Sequence, residues 1–458
     1  MNKHKLDVQA KILEQLFGKI SVLQTQEEKE KVVLGAISDT YGHTPKDTLF
    51  QSKAISELNT NEGREIFLKE FFSFGIVEDL LNDSNTEDII INALNPIYIH
   101  HTYRGLVSTD KKFNTQKELD VFVKKLIVFS GRKSIRQINN LELPHMAGRV
   151  NIVQSPFGYQ ITITKIKEKP LSVIDLINLR SLSYELAAQL WIYLEGMNIR
   201  PANILILGAP GSGKTTLMNA LVSFIPDNER LVVIEDTLEL NTKLEDSWSR
   251  LECDEGITLA DLVKNSLRMR PERIIVGEVR GSEAQDMMTA MNIGKYCMGT
   301  IHASSAREAI IRLQNEPMNI PEMLVNLVDV FITTKKYQLK NSFFRVVDEV
   351  AETAGLEQKV VLLSPVWSYN YEKSNFEERQ PSSIFRDKVC KLGGFPAKNF
   401  IDEFKIRTYL LKILKEKEIH KIEDVSNFCR LYHRNSEAAL EKIDLTKEHL
   451  KEDILDKS

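Results

Sequence analysis

The chain has 458 residues, 42% hydrophobic and 27% charged, enough for two to four domains of ordinary globular composition. Its 60 basic and 64 acidic side chains leave a net charge of −4, which speaks against a protein built mainly to wrap nucleic acid. Four scattered cysteines (Cys253, Cys297, Cys390 and Cys429) form no Cys-x-x-Cys pair, which argues against a disulfide framework or a zinc knuckle.

The first segment, residues 1–60, mixes charge with helical spacing of Leu6, Ile12, Leu13, Leu16, Phe17 and Ile20 and reads as a helical preface. It lacks the apolar core of a signal peptide, and no window approaches the roughly 18 apolar residues of a membrane span. Residues 61–170 read as a small α+β domain. A helix over Ile66–Leu81 ends at Asn82-Asp83-Ser84-Asn85, strands flank Asn95-Pro96, a helix follows over Gln116–Ser130, and Arg149–Ser155 and Gln160–Ile166 form a pair of strands. Glu168-Lys169-Pro170 looks like a linker.

Residues 171–350 change character. After a helix over Tyr184–Met197, short runs of continuous apolar residues alternate with helices: Ala202–Leu207, Leu231–Ile234, Arg273–Val276, Met298–Ile301 and Val328–Thr334. Continuous runs mean strands buried on both faces, hence a parallel, doubly wound α/β domain. After Tyr337 come the strand-like stretches Phe343–Val350 and Val360–Val366, and residues 351–458 read as a C-terminal strand and helical region that is helical and charged from Ser382.

One loop carries an unmistakable chemistry. Gly208-Ala209-Pro210-Gly211-Ser212-Gly213-Lys214-Thr215 fits G-x-x-x-x-G-K-[ST] between a buried strand and a helix that continues through Thr216. Glycines let successive N–H groups curl around phosphates, and the helix N-terminus adds partial positive charge. Lys214 can reach the β- and γ-phosphates of a bound nucleotide, and the Thr215 hydroxyl can ligate Mg²⁺. Hydrolysis also needs acids. Leu231–Ile234 runs into Glu235-Asp236 with Glu239 close behind, and Ile274–Gly277 runs into Glu278, at the strand ends where ligands gather in open α/β sheets.

Arg268, Arg270, Arg273 and Arg280 surround the Glu278 strand, and read either as a salt-bridged surface or as groups reaching a phosphate. His302 ends another buried strand, where a structural and a catalytic role are both open.

Together these blocks resemble the secretion ATPase superfamily, the motors of type II and type IV secretion, of type IV and tight-adherence (CpaF-like) pili, and of the archaellum. The resemblance runs over about residues 75–350. It rests on the Walker A loop, the Asp box Ile234-Glu235-Asp236-Thr237-Leu238-Glu239, the Walker B stretch Val276-Gly277-Glu278-Val279-Arg280-Gly281 and the His box Gly299-Thr300-Ile301-His302-Ala303. Leu267-Arg268-Met269-Arg270-Pro271 looks like the CpaF and type IV secretion branch, and Arg312–Pro321 looks like archaeal members.

The resemblance implies a RecA-like P-loop ATPase domain, a smaller N-terminal α+β sensing domain, and a homo-hexamer with ATP between the two domains. It further implies a polytopic membrane platform protein as partner and a cytoplasmic location at the inner face of the membrane, with no nucleic-acid partner. Glu278 would activate or orient water and touch Mg²⁺ through water. Glu235, Asp236 and Glu239 would arrange metal and water, and His302 would sense the γ-phosphate. Arg149, in Gly148-Arg149-Val150, resembles an arginine that contacts nucleotide phosphates.

Two positions depart from the pattern. Lys165 stands where an arginine is usual, keeping charge but losing the bidentate fork, and Lys295 stands where a histidine often precedes the His box. The tetracysteine zinc insertion of many type II members is missing. The rival readings are a RecA-like nucleic-acid translocase, which predicts a basic channel, and an inert nucleotide-binding scaffold, which predicts loss of Lys214 or of the acid.

Overall fold

The computed structural model describes residues 3–21, 24–41, 58, 60–143, 148–165, 170–236, 240, 247–253, 256–339, 342–446 and 450. The chain divides into two compact units, residues 1–168 and 169–458.

In the first unit the helical preface and the α+β elements share one core. Leu6, Ile12, Leu13 and Leu16 of the helix Lys3–Leu16 are buried in the same cluster as Phe71, Leu126 and Ile163. The sheet runs β3-β2-β1-β6-β5-β4, all antiparallel, from β1 (Thr86–Asn92), β2 (Tyr98–His101), β3 (Gly105–Ser108), β4 (Ile138–Leu143), β5 (Gly148–Ser155) and β6 (Gly158–Lys165). Alternating burial along β5 turns one face toward the apolar core.

The single helix expected over Ile66–Leu81 is broken. Asn61–Phe72 ends at Ser73, whose extended backbone and the left-handed Gly75 (φ +61°) redirect the chain before Glu78–Asn82. The buried Lys125 ammonium donates to the Glu70 and Ser73 carbonyls at 3.0 Å each, satisfying the helix end.

The second unit is built on a mixed sheet of order β15-β14-β13-β12-β7-β11-β10-β8-β9. Its strands are β7 (Ile204–Leu207), β8 (Leu231–Glu235), β9 (Ser249–Glu252), β10 (Arg273–Val276), β11 (Tyr296–Ile301), β12 (Val330–Leu339), β13 (Ser342–Glu357), β14 (Val360–Asn370) and β15 (Asn375–Glu378). From β12 through β9 every pairing is parallel, and β7, β8 and β10 are buried along their full length, in keeping with the apolar runs Ile204–Leu207, Leu231–Ile234 and Ile274–Val276.

The segment expected as a separate C-terminal region belongs to this same unit. β13 pairs along the length of β12, and Leu410, Leu411 and Leu414 of the helix Ala397–Glu416 are buried in the cluster that holds Trp191 and Ile204. A buried ionic cluster fastens this helix down. Arg407 pairs with Glu195 and lies 4.8 Å over the Trp191 ring, and His433 meets Glu195 at 2.8 Å. Burial raises the Glu195 pKa, but Arg407 and the His433 hydrogen bond outweigh it and hold the carboxyl at about 2. Glu352, fully buried, accepts the Ile384 and Phe385 N–H groups at 3.1 Å each and so caps the helix Ile384–Gly393. Among the described residues no helix is long and apolar enough to cross a membrane.

Candidate ATP-binding and hydrolytic site

Strand order decides which side chains meet. β11 lies between β7 and β10, parallel to both, so the residues just after these three strands emerge side by side at their carboxyl ends. Those residues are the P-loop after β7, His302 after β11 and Glu278 after β10.

The P-loop depends on its glycines. Gly208, Gly211 and Gly213 have φ of +152°, +71° and +98°, values that side-chain-bearing residues avoid. A Cβ on Gly208 would fall 2.3 Å from Ser212 Oγ and 2.6 Å from the Thr334 carbonyl. Ala209, Pro210 and Gly211 form the exposed crest, and Lys214, Thr215 and Thr216 open the helix Lys214–Leu221. The Lys214 ammonium is buried and donates to the Gly208 and Ala209 carbonyls at 2.9 and 3.1 Å.

His302 joins the loop to the acid. Its Nδ1 lies 3.1 Å from Lys214 Nζ, and its Nε2 lies 3.0 Å from Glu278 Oε1. One tautomer satisfies both contacts: Nε2–H donates to the carboxylate, and Nδ1 accepts from the ammonium. Cation, imidazole and carboxylate therefore stand in line.

The remaining acids lie one strand further out. Glu235 is 2% exposed; its Oε1 accepts the Leu240 N–H at 3.1 Å and its Oε2 faces Arg250 at 3.7 Å. It packs against the residue before Glu278, since a Cβ on Gly277 would sit 2.8 Å from Glu235 Cγ. Asp236 pairs with Arg280, which ties the Asp box to the exit of the Glu278 strand. Glu239 lies outside the described residues.

The arginines divide. Arg273 is structural, 1% exposed, with its guanidinium on Glu229 at 2.8 and 3.0 Å and on the Leu194 carbonyl at 2.8 Å. Arg268 and Arg270 are exposed, and neither has a side-chain hydrogen bond or ion pair among the described residues. Arg149 lies on β5 of the first unit, partly buried. Lys165 donates to the Asp83 carbonyl just beyond the helix Glu78–Asn82, and Lys295 comes shortly after the helix Glu283–Asn292.

Three contributors carry no motif signal. Thr334 on β12 bridges Ser212 Oγ and the Leu207 carbonyl, both at 2.8 Å. Arg345 on β13 donates from Nε to the Gly211 carbonyl at 2.9 Å. Glu283 Oε1 accepts the Arg280 and Gly281 N–H groups at 2.5 and 2.7 Å, shaping the loop after Glu278. Only the Glu283 contact, two and three residues away in sequence, had a local signal.

The residues fit a magnesium nucleotide. A glycine cradle that a Cβ would fill at Gly208 leads into a helix N-terminus, the Lys214 ammonium is at hand, and the Thr215 hydroxyl and Glu278 are the oxygen donors suited to Mg²⁺. Fold and site define a RecA-like P-loop nucleotide hydrolase.

Kinship narrows the class. Residues 137–361 match the family model described as "Type II/IV secretion system protein". An uncharacterized protein of Methanocaldococcus jannaschii, MJ0900, is 30% identical over 391 residues, covering 80% of this chain and 70% of its own. The conjugal transfer protein TrbB of Rhizobium radiobacter is 29% identical over 255 residues, covering 54% of this chain and 77% of its own. The X-ray structure of the Legionella pneumophila ATPase DotB is 18% identical with a TM-score of 0.44, covering 81% of this chain and 92% of that one. The chain belongs to the type II/IV secretion system protein family.

Proposed function

We propose that this chain is an ATP-hydrolysing motor that powers a secretion machine or the assembly of a type IV pilus-like filament. The observation that carries this reading is the Lys214–His302–Glu278 line at the ends of three adjacent parallel strands. Phosphate oxygens entering the glycine cradle compete with the Gly208 and Ala209 carbonyls for the Lys214 ammonium. His302 holds Glu278 by the Nε2 contact, so the carboxylate is oriented to accept a proton from, or align, the attacking water. Mg²⁺, held by Thr215 and through water by Glu278, would neutralise charge developing on the phosphates. Glu235 and Asp236 support this from outside, one behind Gly277 and the other through Arg280.

The biological setting is drawn from kinship. Family membership and a relative named for conjugal transfer support a membrane-bound machine as the partner, reached through a polytopic platform protein at the cytoplasmic face. The active form we assign is a homo-hexamer. Arg149, Arg268 and Arg270 are the cations we assign to phosphate contacts made during the cycle; the exposure of the latter two supports this. Small-angle scattering tests the role of Arg149: ATP-dependent compaction of the chain should vanish in Arg149→Ala, and unchanged compaction would contradict it.

For the reading as a whole, Mg²⁺-dependent ATP turnover of the purified chain is measured beside Lys214→Ala, with mass followed by light scattering. Turnover in the wild type alone, with nucleotide promoting a hexamer, is the expected result. Equal activity in both proteins would refute it.

A further inference from the structure

The β12–β13 ribbon grips the P-loop at two points. Thr334, 5% exposed, holds Ser212 and the Leu207 carbonyl where the loop begins. Arg345 holds the Gly211 carbonyl at the crest, and its Cδ lies 3.6 Å from the place a Cβ on Gly213 would occupy. Register pairs Thr334 with Val347 and Lys336 with Arg345, so the two grips lie two positions apart along the ribbon. A cation beside the N-terminus of the helix Lys214–Leu221 has the wrong sign for the helix dipole, and Lys214 adds a second positive charge. Positive groups converging on one loop repel one another, and a polyphosphate turns that repulsion into attraction.

We propose that Arg345 is a positioning residue of the nucleotide site. By holding the Gly211 carbonyl it fixes the curvature of the loop, and with it the direction of the loop's N–H groups, while its charge adds to the field that holds the phosphates. The proposal rests on the ATP reading above and adds a residue from β13, two strands from β7 in the sheet and 134 positions along the chain from Gly211. Both the charge and the directional donor matter, so lysine replaces it only in part.

The test is titration of the full chain with a fluorescent ADP analogue and Mg²⁺, together with steady-state ATP turnover. Arg345→Ala should weaken the Kd and raise KM about tenfold, with kcat within about threefold and Tm little changed, the scale of one charge-assisted hydrogen bond. Arg345→Lys should recover part of that loss. Thr334→Val, which keeps the side-chain volume but removes the hydroxyl, should weaken binding in the same direction. Should the alanine variant fail to fold, Arg345→Gln, which keeps a donor but not the charge, takes its place with an intermediate Kd expected. Affinity within twofold of wild type in Arg345→Ala or its substitute, or a loss confined to kcat, overturns the proposal. Lys214→Ala, run in parallel, separates the two levels. If it binds as wild type does, the ATP reading itself fails and takes this proposal with it; if Lys214→Ala loses binding while the Arg345 variants do not, only this proposal falls.

Discussion

The imidazole of His302 meets the carboxylate of Glu278 at 3.0 Å, across the neighbouring strands β11 and β10. The same ring faces Lys214 through its other nitrogen at 3.1 Å. A histidine with both nitrogens engaged at a strand's carboxyl end is held in orientation, and it holds the acid with it.

His302→Ala should therefore act on chemistry more than on binding. With Glu278 no longer oriented, kcat is expected to fall about 10- to 100-fold, while nucleotide Kd stays within about threefold. Steady-state kinetics with parallel binding titrations check this, and an equal loss in both quantities would assign His302 to binding.

Gly208→Ala should destroy the cradle without unfolding the domain. The added Cβ meets Ser212 Oγ at 2.3 Å, Thr334 Oγ1 at 2.4 Å and the Thr334 carbonyl at 2.6 Å, at a backbone φ of +152°. Nucleotide affinity should drop at least tenfold, and overpacking should cost about 1–3 kcal/mol in denaturant unfolding. Binding at wild-type strength would show that the loop relaxes freely.

Arg273 should prove to be a stability residue. Removing its guanidinium leaves Glu229 without that partner and the Leu194 carbonyl without its bond, so Arg273→Ala should cost about 3–5 kcal/mol. Thermal and urea unfolding measure this, and a cost below about 1 kcal/mol would contradict the buried pair.

Acid should loosen the C-terminal helices from the core. Glu195 is held at about 2 against an ordinary 4.5, so it binds protons more readily in the unfolded chain. Its stabilisation is present above about pH 4.5 and is lost as pH falls toward 2, a contribution on the order of 3 kcal/mol. Glu195→Gln should be less stable than wild type at pH 6 and lose less between pH 5 and 3. Parallel acid transitions would rule this out.

Much of the site was legible because its chemistry is local. The P-loop, Glu278, Asp236 and His302 each sit at the end of an apolar run, and a continuous run is the signal of a doubly buried strand. What the sequence concealed was neighbourhood. Nothing in the order of the runs says that β11 inserts between β7 and β10, yet that insertion puts His302 beside both Lys214 and Glu278. Thr334 and Arg345 were illegible for the same reason, reaching the loop from 122 and 134 residues away. The polar β9 (Ser249–Glu252) carries no apolar run and pairs only at the sheet edge. The break at Ser73 is hidden in the sequence because apolar spacing continues across it, and only Gly75 marks the turn. The sequence does not show that the helical preface and the C-terminal helices join the two cores, because the burial of Leu13 or Leu411 depends on partners distant in sequence.

Glu278 is assigned to hydrolysis, in a site that should bind nucleotide without it. Turnover and nucleotide binding of the full chain, measured side by side for wild type and Glu278→Gln, test this most directly. The variant is expected to bind ATP within about threefold of wild type while kcat falls by about a hundredfold or more. Wild-type turnover in Glu278→Gln would contradict it.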